Sequence, residues 1–165
     1  MSNINFNLRG NLIPPELIQC EWNDFYPYYL NNFPESNTRK IILDNFVQFL
    51  TELNKLFPTP LEMWIDGSFV TKKTDPKDID VVFFIDYGFI KNQQTELIKG
   101  FHALVNKYLT FVDAYLVVRF PINHPNYSIF QADYAEWYHL FSKTRPTRAG
   151  TRFAKGIIHL TYNIV

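Results

Sequence analysis

The chain has 165 residues, of which 47% are hydrophobic and 18% aromatic, so it carries enough apolar surface to form a folded core. Sixteen Lys and Arg residues balance sixteen Asp and Glu residues, which excludes a general electrostatic attraction to nucleic acid or to an anionic membrane. Any such attraction must therefore be local.

The sequence contains one cysteine, Cys20, which cannot form a disulfide within the chain and is expected to fill space in the core. The N-terminus lacks the pattern of a signal peptide, and no apolar run has the length of a membrane span. We therefore expect a soluble cytoplasmic protein without a membrane partner.

Residues 1–35 are rich in Asn, Pro and aromatic side chains, and Pro14, Pro15, Pro27 and Pro34 are expected to block long regular elements. The apolar residues of this segment predict an aromatic arm packed against the main body. The alternative is a surface that binds a partner.

The rest of the chain alternates between helical and strand patterns. Helices are predicted over residues 36–57 and about 92–108 and 128–142, and strands over residues 61–66, 79–85, 111–120 and 156–165. The last strand can form an edge of the sheet. We predict one α/β domain over residues 1–165, in which helices pack on a small mixed β-sheet.

Residues 64–86 carry the side chains that point to chemistry. Gly67 and Ser68 follow a predicted strand and offer backbone N–H groups and a hydroxyl on which a phosphate can lie. Asp78 and Asp80 open the next strand, where residues two apart face the same way. Two carboxylates so close repel each other and favour a bound cation, for which Mg²⁺ is the natural ion and Mn²⁺ the alternative.

This order of features resembles the nucleotidyltransferase superfamily that includes DNA polymerase beta. Its signature is a hydrophobic residue, Gly-Gly or Gly-Ser, a short gap, and Asp-hydrophobic-Asp or Glu. Ile65, Gly67 and Ser68 match the first part, allowing for the intervening Asp66, and residues 78–81 match the second. More narrowly, residues 64–86 look like a small bacterial and phage group of minimal nucleotidyltransferases, and the likeness covers most of the chain.

The resemblance implies a minimal nucleotidyltransferase fold and Mg²⁺-dependent transfer of a nucleoside monophosphate from a nucleoside triphosphate to an acceptor. It implies that Asp78 and Asp80 hold two ions, while Asp113 binds one of them and helps to deprotonate the acceptor hydroxyl. It also implies that Gly67 and Ser68 seat the triphosphate. Asp113 can lie beside Asp80 only if their strands are neighbours in the sheet.

Several nearby residues have competing interpretations. Among the connector lysines we choose Lys73 for phosphate binding, although a solvated loop is an alternative. Asp113 could instead form a buried ion pair with Arg119. Asp86 lies about 20 Å further along the strand than Asp80, so it is excluded from the site.

Three further side chains flank this motif. Asp66 and Asp75 are interpreted only as turn caps. Tyr115 projects beside Asp113, where it can stack on a base or belong to the core.

A basic segment follows the last predicted helix. It contains five basic residues and no acidic residue, and Pro146 and Gly150 predict a loop; the basic residues are Lys143, Arg145, Arg148, Arg152 and Lys155. Arg145, Arg148 and Arg152 are the candidates for contact with an RNA backbone, with a solubilising surface as the alternative.

Small members of the resembled superfamily often act in toxin–antitoxin or phage-defence systems, where they modify a partner protein or tRNA. The resemblance therefore implies a nucleoside triphosphate as donor and these two classes as acceptor. A module of the same fold that binds a nucleotide or partner without catalysis is the first alternative, and an RNA-binding protein is the second. A metal-dependent glycosyltransferase fits less well, because its Asp-x-Asp usually ends an apolar strand, whereas here the apolar strand follows.

Overall fold

In a computed structural model of the chain, residues 4–163 are described, and they form seven strands and five helices. In chain order these are β1 (Asn5–Phe6), β2 (Leu12–Ile13), β3 (Leu17–Gln19), α1 (Trp22–Asn31), α2 (Arg39–Leu56), β4 (Leu61–Asp66), β5 (Ile79–Asp86), α3 (Tyr87–Ile90), α4 (Gln94–Tyr108), β6 (Val112–Arg119), α5 (Tyr127–Phe141) and β7 (Ile157–Tyr162).

Five of the strands form one mixed sheet in the order β3-β7-β4-β5-β6. The outer pairs, β3 with β7 and β5 with β6, are parallel, and β4 is antiparallel to both of its neighbours. Strands β1 and β2 form a separate antiparallel hairpin. The predicted α/β class with a mixed sheet and packed helices is confirmed.

The last strand of the chain does not lie at an edge. β7 is hydrogen-bonded on both sides, because β3 of the N-terminal segment pairs with it and takes the edge position. The suggested edge position was therefore wrong. Residues 164 and 165 of the predicted strand lie outside the described residues, as do residues 1–3 of the predicted arm.

The N-terminal segment contains a ten-residue helix, α1, which continues through Pro27. The expectation that Pro27 blocks a regular element was wrong. Phe25 and Tyr29 on this helix are fully buried, and burying an aromatic side chain contributes about 1.5–3 kcal/mol, so the two offset the roughly 3 kcal/mol penalty of an internal proline.

The two faces of the sheet are covered unequally. The larger core contains residues of α1, α2 and α4 with the odd-numbered residues of β5, among them Val81 and Phe83. The smaller core contains even-numbered strand residues such as Trp64, Val82 and Phe84, packed against α5. Because one helix covers this second face, the ends of its strands remain open to a cleft. No helix within residues 4–163 combines the length and the apolar character needed to cross a membrane.

Arg39, at the start of α2, is buried and fixes the connector between β4 and β5. Its guanidinium donates to the carbonyl oxygens of Phe69 (2.7 Å), Thr71 (2.9 Å) and Lys73 (2.7 Å). It also lies 3.7 Å from the centroid of the Phe33 ring. Arg39 therefore fixes the backbone of the connector that carries Lys73. This role was not predicted from the sequence.

Arg39→Lys should lower the free energy of unfolding by about 2 kcal/mol, because one ammonium group cannot replace a buried guanidinium that donates to three backbone carbonyls. Urea unfolding monitored by circular dichroism measures this loss. The control is Lys40→Arg, at an exposed residue paired with Asp44 on the same helix, which should leave the unfolding midpoint unchanged. Equal midpoints for Arg39→Lys and the wild type would contradict the account.

Candidate functional site

Three adjacent strands place three carboxylates in one row. In the sheet register, Asp80 of β5 lies opposite Asp66 of β4 on one side and Asp113 of β6 on the other. Neighbouring strands are about 4.8 Å apart. Trp64 and Val82, two residues along from Asp66 and Asp80, belong to the core under α5, so the row lies on the α5 face. The strand pairing on which the placement of Asp113 depended is therefore present.

The electrostatics of the row centre on Asp80. Burial, followed by the negative charges of Asp78 and Asp113, raises the pKa of Asp80 to about 6, and Arg145 and Lys155 act in the opposite direction. A cation beside this group would relieve the repulsion that raises its pKa.

The turn after β4 is built against Asp80. Gly67 has a positive φ of 79°, and a Cβ placed on it would collide with Asp80 Oδ2 and lie 2.6 Å from Asp80 Cγ. Glycine is therefore required at position 67 for two reasons: the backbone has a positive φ, and the Asp80 carboxylate occupies the space of a side chain. Ser68 follows on the same turn and lines the cleft, and its hydroxyl makes no hydrogen bond within residues 4–163.

Asp113 is held by its neighbour two residues along the strand. The Tyr115 hydroxyl donates to Asp113 Oδ2 at 3.0 Å, and burial together with this hydrogen bond raises the pKa of Tyr115 to about 12. The Tyr115 ring lies beside the Trp137 ring of α5, with 4.3 Å between centroids. Tyr115 is 37% exposed, and both rings line the cleft. Together they form an aromatic wall beside the carboxylate row.

The suggested ion pair between Asp113 and Arg119 is absent from the described residues. Arg119 instead bonds Glu62 at 2.7 Å and Asp86 at 3.3 Å. Asp86 lies at the opposite end of β5 from Asp80, in agreement with its exclusion from the site.

Residues 4–163 contain no group of three His, Cys, Asp or Glu side chains arranged to hold a metal ion. Asp80 lies against Gly67, while Asp113 accepts from Tyr115 through Oδ2. The donor set consists of carboxylate oxygens, which suit Mg²⁺ and Mn²⁺ by chemistry.

Asp66 and Lys155 form a buried ion pair at the end of the row. Lys155 Nζ donates to Asp66 Oδ1 at 2.6 Å and to Oδ2 at 2.5 Å, and both side chains are less than a tenth exposed. Burial raises the pKa of Asp66 to about 6, although Lys155 opposes the shift. Asp66 also accepts a hydrogen bond from the backbone N–H of Gly67 in the turn, so it is more than the turn cap that was predicted. The interpretation of Lys155 as part of a basic surface was wrong. Asp75 accepts a hydrogen bond from the backbone N–H of Asn37 at 2.7 Å, 38 residues away, so it ties the connector to the segment before α2.

A cleft of about 650 Å³ opens over the row. It is lined by nearly all of the sequence-predicted residues: Gly67, Ser68, Lys73, Asp78, Asp80, Asp113, Arg145 and Arg152. Arg148 is exposed and does not line it. The sequence analysis missed Asn11, Thr71 and Trp137, which also line the cleft.

Basic side chains outnumber acidic ones on the cleft wall. The basic residues are Lys73, Lys77, Lys143, Arg145, Arg152 and Lys155, and the acidic ones are Asp66, Asp78, Asp80 and Asp113. Within residues 4–163, Lys143, Arg145 and Arg152 form no ion pair. These three cations are available to an anionic molecule in the cleft. Asp78, Asp80 and Asp113, which also form no ion pair within residues 4–163, are available to a cation.

Gly67→Ala should destabilise the protein by at least about 2 kcal/mol, because alanine at positive φ is strained and its methyl group displaces Asp80. Thermal and urea unfolding measure the effect. Gly88→Ala is the matched control, since a Cβ there meets nothing within 4 Å and its φ is not positive. If both alanine variants unfold like the wild type, the close approach of Asp80 to the turn is incorrect.

A family of unknown function, DUF6932, matches residues 4–161. No curated protein and no solved structure matches the chain.

Proposed function

The chain belongs to DUF6932, a family of unknown function, and we propose that it is a nucleotidyltransferase of the minimal fold. It would transfer a nucleoside monophosphate from a nucleoside triphosphate to an acceptor hydroxyl. One observation carries the proposal: Asp80 and Asp113 are register partners, with Asp78 close by, beside a Gly-Ser turn in a cleft lined with cations. This combination suits a triphosphate, which needs cations, and a divalent ion, which needs carboxylates.

Asp78, Asp80 and Asp113 are the residues that would hold Mg²⁺, or Mn²⁺ in its place. When bound, such ions neutralise phosphate charge and orient the attacking and leaving oxygens. The raised pKa of Asp80 supports this assignment, because neighbouring carboxylates that repel one another are stabilised by a cation between them.

The turn and the connector provide the groups for the phosphate chain. The free Ser68 hydroxyl and the backbone N–H of Ser68 can donate to phosphate oxygens. Lys73 lines the same cleft and adds a positive charge.

Asp113 is the group that we assign as proton acceptor. Tyr115 bonds Oδ2 of this carboxylate, which leaves Oδ1 to take the proton of the acceptor hydroxyl. The acceptor oxygen then forms a bond to the α-phosphorus, and the bond to the bridging oxygen breaks. Pyrophosphate leaves with the electron pair of that bond.

The cleft wall favours an acceptor that carries bases and phosphates. Tyr115 and Trp137 present an aromatic wall on which a base can stack, and Arg145 and Arg152 are cations without ion pairs. An RNA such as tRNA fits these groups better than a protein hydroxyl, which needs neither. A partner protein remains the second acceptor, and a toxin–antitoxin or phage-defence role rests on the family resemblance alone.

One observation favours a second candidate function, a module of the same fold that binds a nucleotide or partner without transfer. No three His, Cys, Asp or Glu side chains within residues 4–163 are arranged to hold a metal ion. Such a module would bind nucleotide with the same affinity when Asp80 is replaced.

The two candidates are separated by a transfer assay. The protein is incubated with each of the four α-³²P-labelled nucleoside triphosphates, Mg²⁺ and either bulk tRNA or a cell extract, and labelled macromolecules are resolved on gels. Label transfer that is lost in Asp80→Asn supports the enzyme. Binding of the nucleotide by both proteins with no transfer by either supports the module.

Arg145→Ala and Arg152→Ala should each weaken tRNA binding. Each should also reduce the slope of log affinity against log salt by about 1, because each removes one phosphate contact. Fluorescence anisotropy across a salt series measures both quantities. Arg148→Ala is the matched control, since it removes the same charge from the same loop but lies off the cleft. An equal effect of all three substitutions would indicate a diffuse basic surface instead.

A further inference from the structure

The β1–β2 hairpin, residues 5–13, holds both walls of the cleft. On one side, the carbonyl of Gly10 accepts from the backbone N–H of Lys72 at 2.9 Å, next to Lys73 of the connector. On the other side, the carbonyl of Leu12 accepts from the N–H of Gly156 at 2.9 Å, next to Lys155. The hairpin therefore spans the connector and the end of the basic loop.

Two close packings support this attachment. The Arg9 guanidinium lies 4.0 Å from the centroid of the Phe153 ring in the basic loop. Gly10 has a φ of 78°, and a Cβ placed on it would lie 2.9 Å from Lys72 Cβ. The hairpin is thus fitted to both segments and is not a loose appendage.

Asn11 lies between these two attachment points and lines the cleft. It is only 9% exposed. Both of its backbone polar groups are hydrogen-bonded, since the N–H donates to Asn7 Oδ1 and the C=O accepts from Asn7 N. Its side-chain amide, however, makes no hydrogen bond with any group in residues 4–163. A nearly buried amide is normally hydrogen-bonded, so this one is available to a molecule bound in the cleft.

The position of Asn11 indicates which part of that molecule it meets. Its neighbours attach to the connector that carries Lys73 and to the residue before β7, on the side of the sheet where β4 ends in the Gly67–Ser68 turn. The aromatic wall of Tyr115 lies on β6, at the opposite edge of the sheet. Asn11 is therefore on the side of the cleft that holds the Gly67–Ser68 turn, away from the wall proposed to stack a base of the acceptor.

We propose that the Asn11 side chain donates a hydrogen bond to the phosphate chain of the donor nucleotide, which makes the N-terminal hairpin part of the nucleotide site. This inference rests on the proposed function, because it takes the ligand to be a nucleoside triphosphate. The amide N–H₂ is the group that would bind a phosphate oxygen, and a hydrogen bond to a charged acceptor is among the stronger kinds.

Isothermal titration calorimetry with an α,β-methylene nucleoside triphosphate and Mg²⁺ tests the proposal. Asn11→Ala should weaken binding about tenfold, and Asn11→Asp should weaken it further, since a carboxylate repels phosphate. Neither substitution should change the binding of the corresponding nucleoside. Asn45→Ala, which removes an amide bonded within α2, should bind like the wild type, and thermal melts show whether each variant is folded.

The outcomes are distinct. A wild-type protein that binds no triphosphate overturns the proposed function, and this inference with it. Wild-type binding that Asn11→Ala does not weaken overturns this inference alone. Tighter binding by Asn11→Asp than by Asn11→Ala also overturns it, because an added carboxylate can help only if residue 11 accepts a hydrogen bond, for example from a ribose hydroxyl.

Discussion

Asp80→Asn is expected to stabilise the protein near neutral pH while it abolishes nucleotide transfer. Burial and the charges of Asp78 and Asp113 raise the pKa of Asp80 to about 6, whereas an aspartate in an unfolded chain has a pKa of about 4. Between these values the folded state holds a proton that the unfolded state has released. The free energy of unfolding therefore falls as the pH rises from about 4 to about 6, and asparagine avoids this loss.

The expected increase in the free energy of unfolding follows from the size of the pKa shift of Asp80. Two pKa units correspond to about 2.7 kcal/mol, and solvent screening of the partly exposed Asp80 reduces the expected gain to about 1–2 kcal/mol at pH 7.5. The gain should vanish at pH 4. Urea unfolding of both proteins at pH 4 and pH 7.5 measures it, together with the label-transfer assay.

Asp44→Asn is the control for this experiment, because Asp44 lies outside the cleft and pairs with Lys40 on the exposed face of α2. That variant should gain no stability and retain transfer. An Asp80→Asn protein that is less stable than the wild type at pH 7.5 would contradict the destabilisation of the ionised Asp80 carboxylate by burial and by the charges of Asp78 and Asp113. One that still transfers nucleotide would exclude Asp80 from the chemistry.

The second large effect concerns the buried pair of Asp66 and Lys155. Lys155→Met should lower the free energy of unfolding at pH 7.5 by about 3–5 kcal/mol, because it leaves a carboxylate buried without its partner. The deficit should shrink as the pH falls from 7.5 to about 6 and should change little below that. Burial already raises the pKa of Asp66 to about 6, and without Lys155 the pKa should rise further, so the acid then takes up a proton and loses its charge.

A double-mutant cycle isolates the pair. Asp66→Asn with Lys155→Met should be at least about 1 kcal/mol more stable than Lys155→Met alone, because no buried charge remains. Lys107→Met is the control, since Lys107 pairs with Glu52 on the exposed surface, and it should change the unfolding midpoint little. If Lys155→Met and Lys107→Met had equal effects, the pair would not be buried as described.

Local patterns predicted the longer elements after residue 35, but not the elements of the N-terminal segment or the arrangement of the strands. β4 has the predicted bounds because proline ends the preceding helix and the Gly67–Ser68 turn ends the strand. The period of apolar residues likewise placed α2 and α4 within a few residues of their ends. The interior position of β7 was not predictable in this way, since alternation indicates which face of a strand is buried and not which strands flank it.

Some residues of the candidate site could likewise be related from local sequence, and others could not. Asp78 and Asp80 could be related from the sequence alone, because Asp78 immediately precedes β5 and lies only two residues from Asp80. Asp113 required the assumption that β5 and β6 are neighbours. The Asp66–Lys155 pair joins residues 89 positions apart, and Asn11 reaches the cleft only through the hairpin, so neither leaves a signal in any local window of sequence.

The central claim is that the cleft transfers the α-phosphate of a nucleoside triphosphate with its nucleoside. The most direct test is a parallel incubation with α-³²P- and γ-³²P-labelled nucleotide, the wild-type protein and tRNA. The account predicts that the α-label becomes attached to the acceptor while the γ-label is released as pyrophosphate. Attachment of the γ-label would instead identify a kinase, and attachment of neither label to any acceptor would contradict the proposed activity.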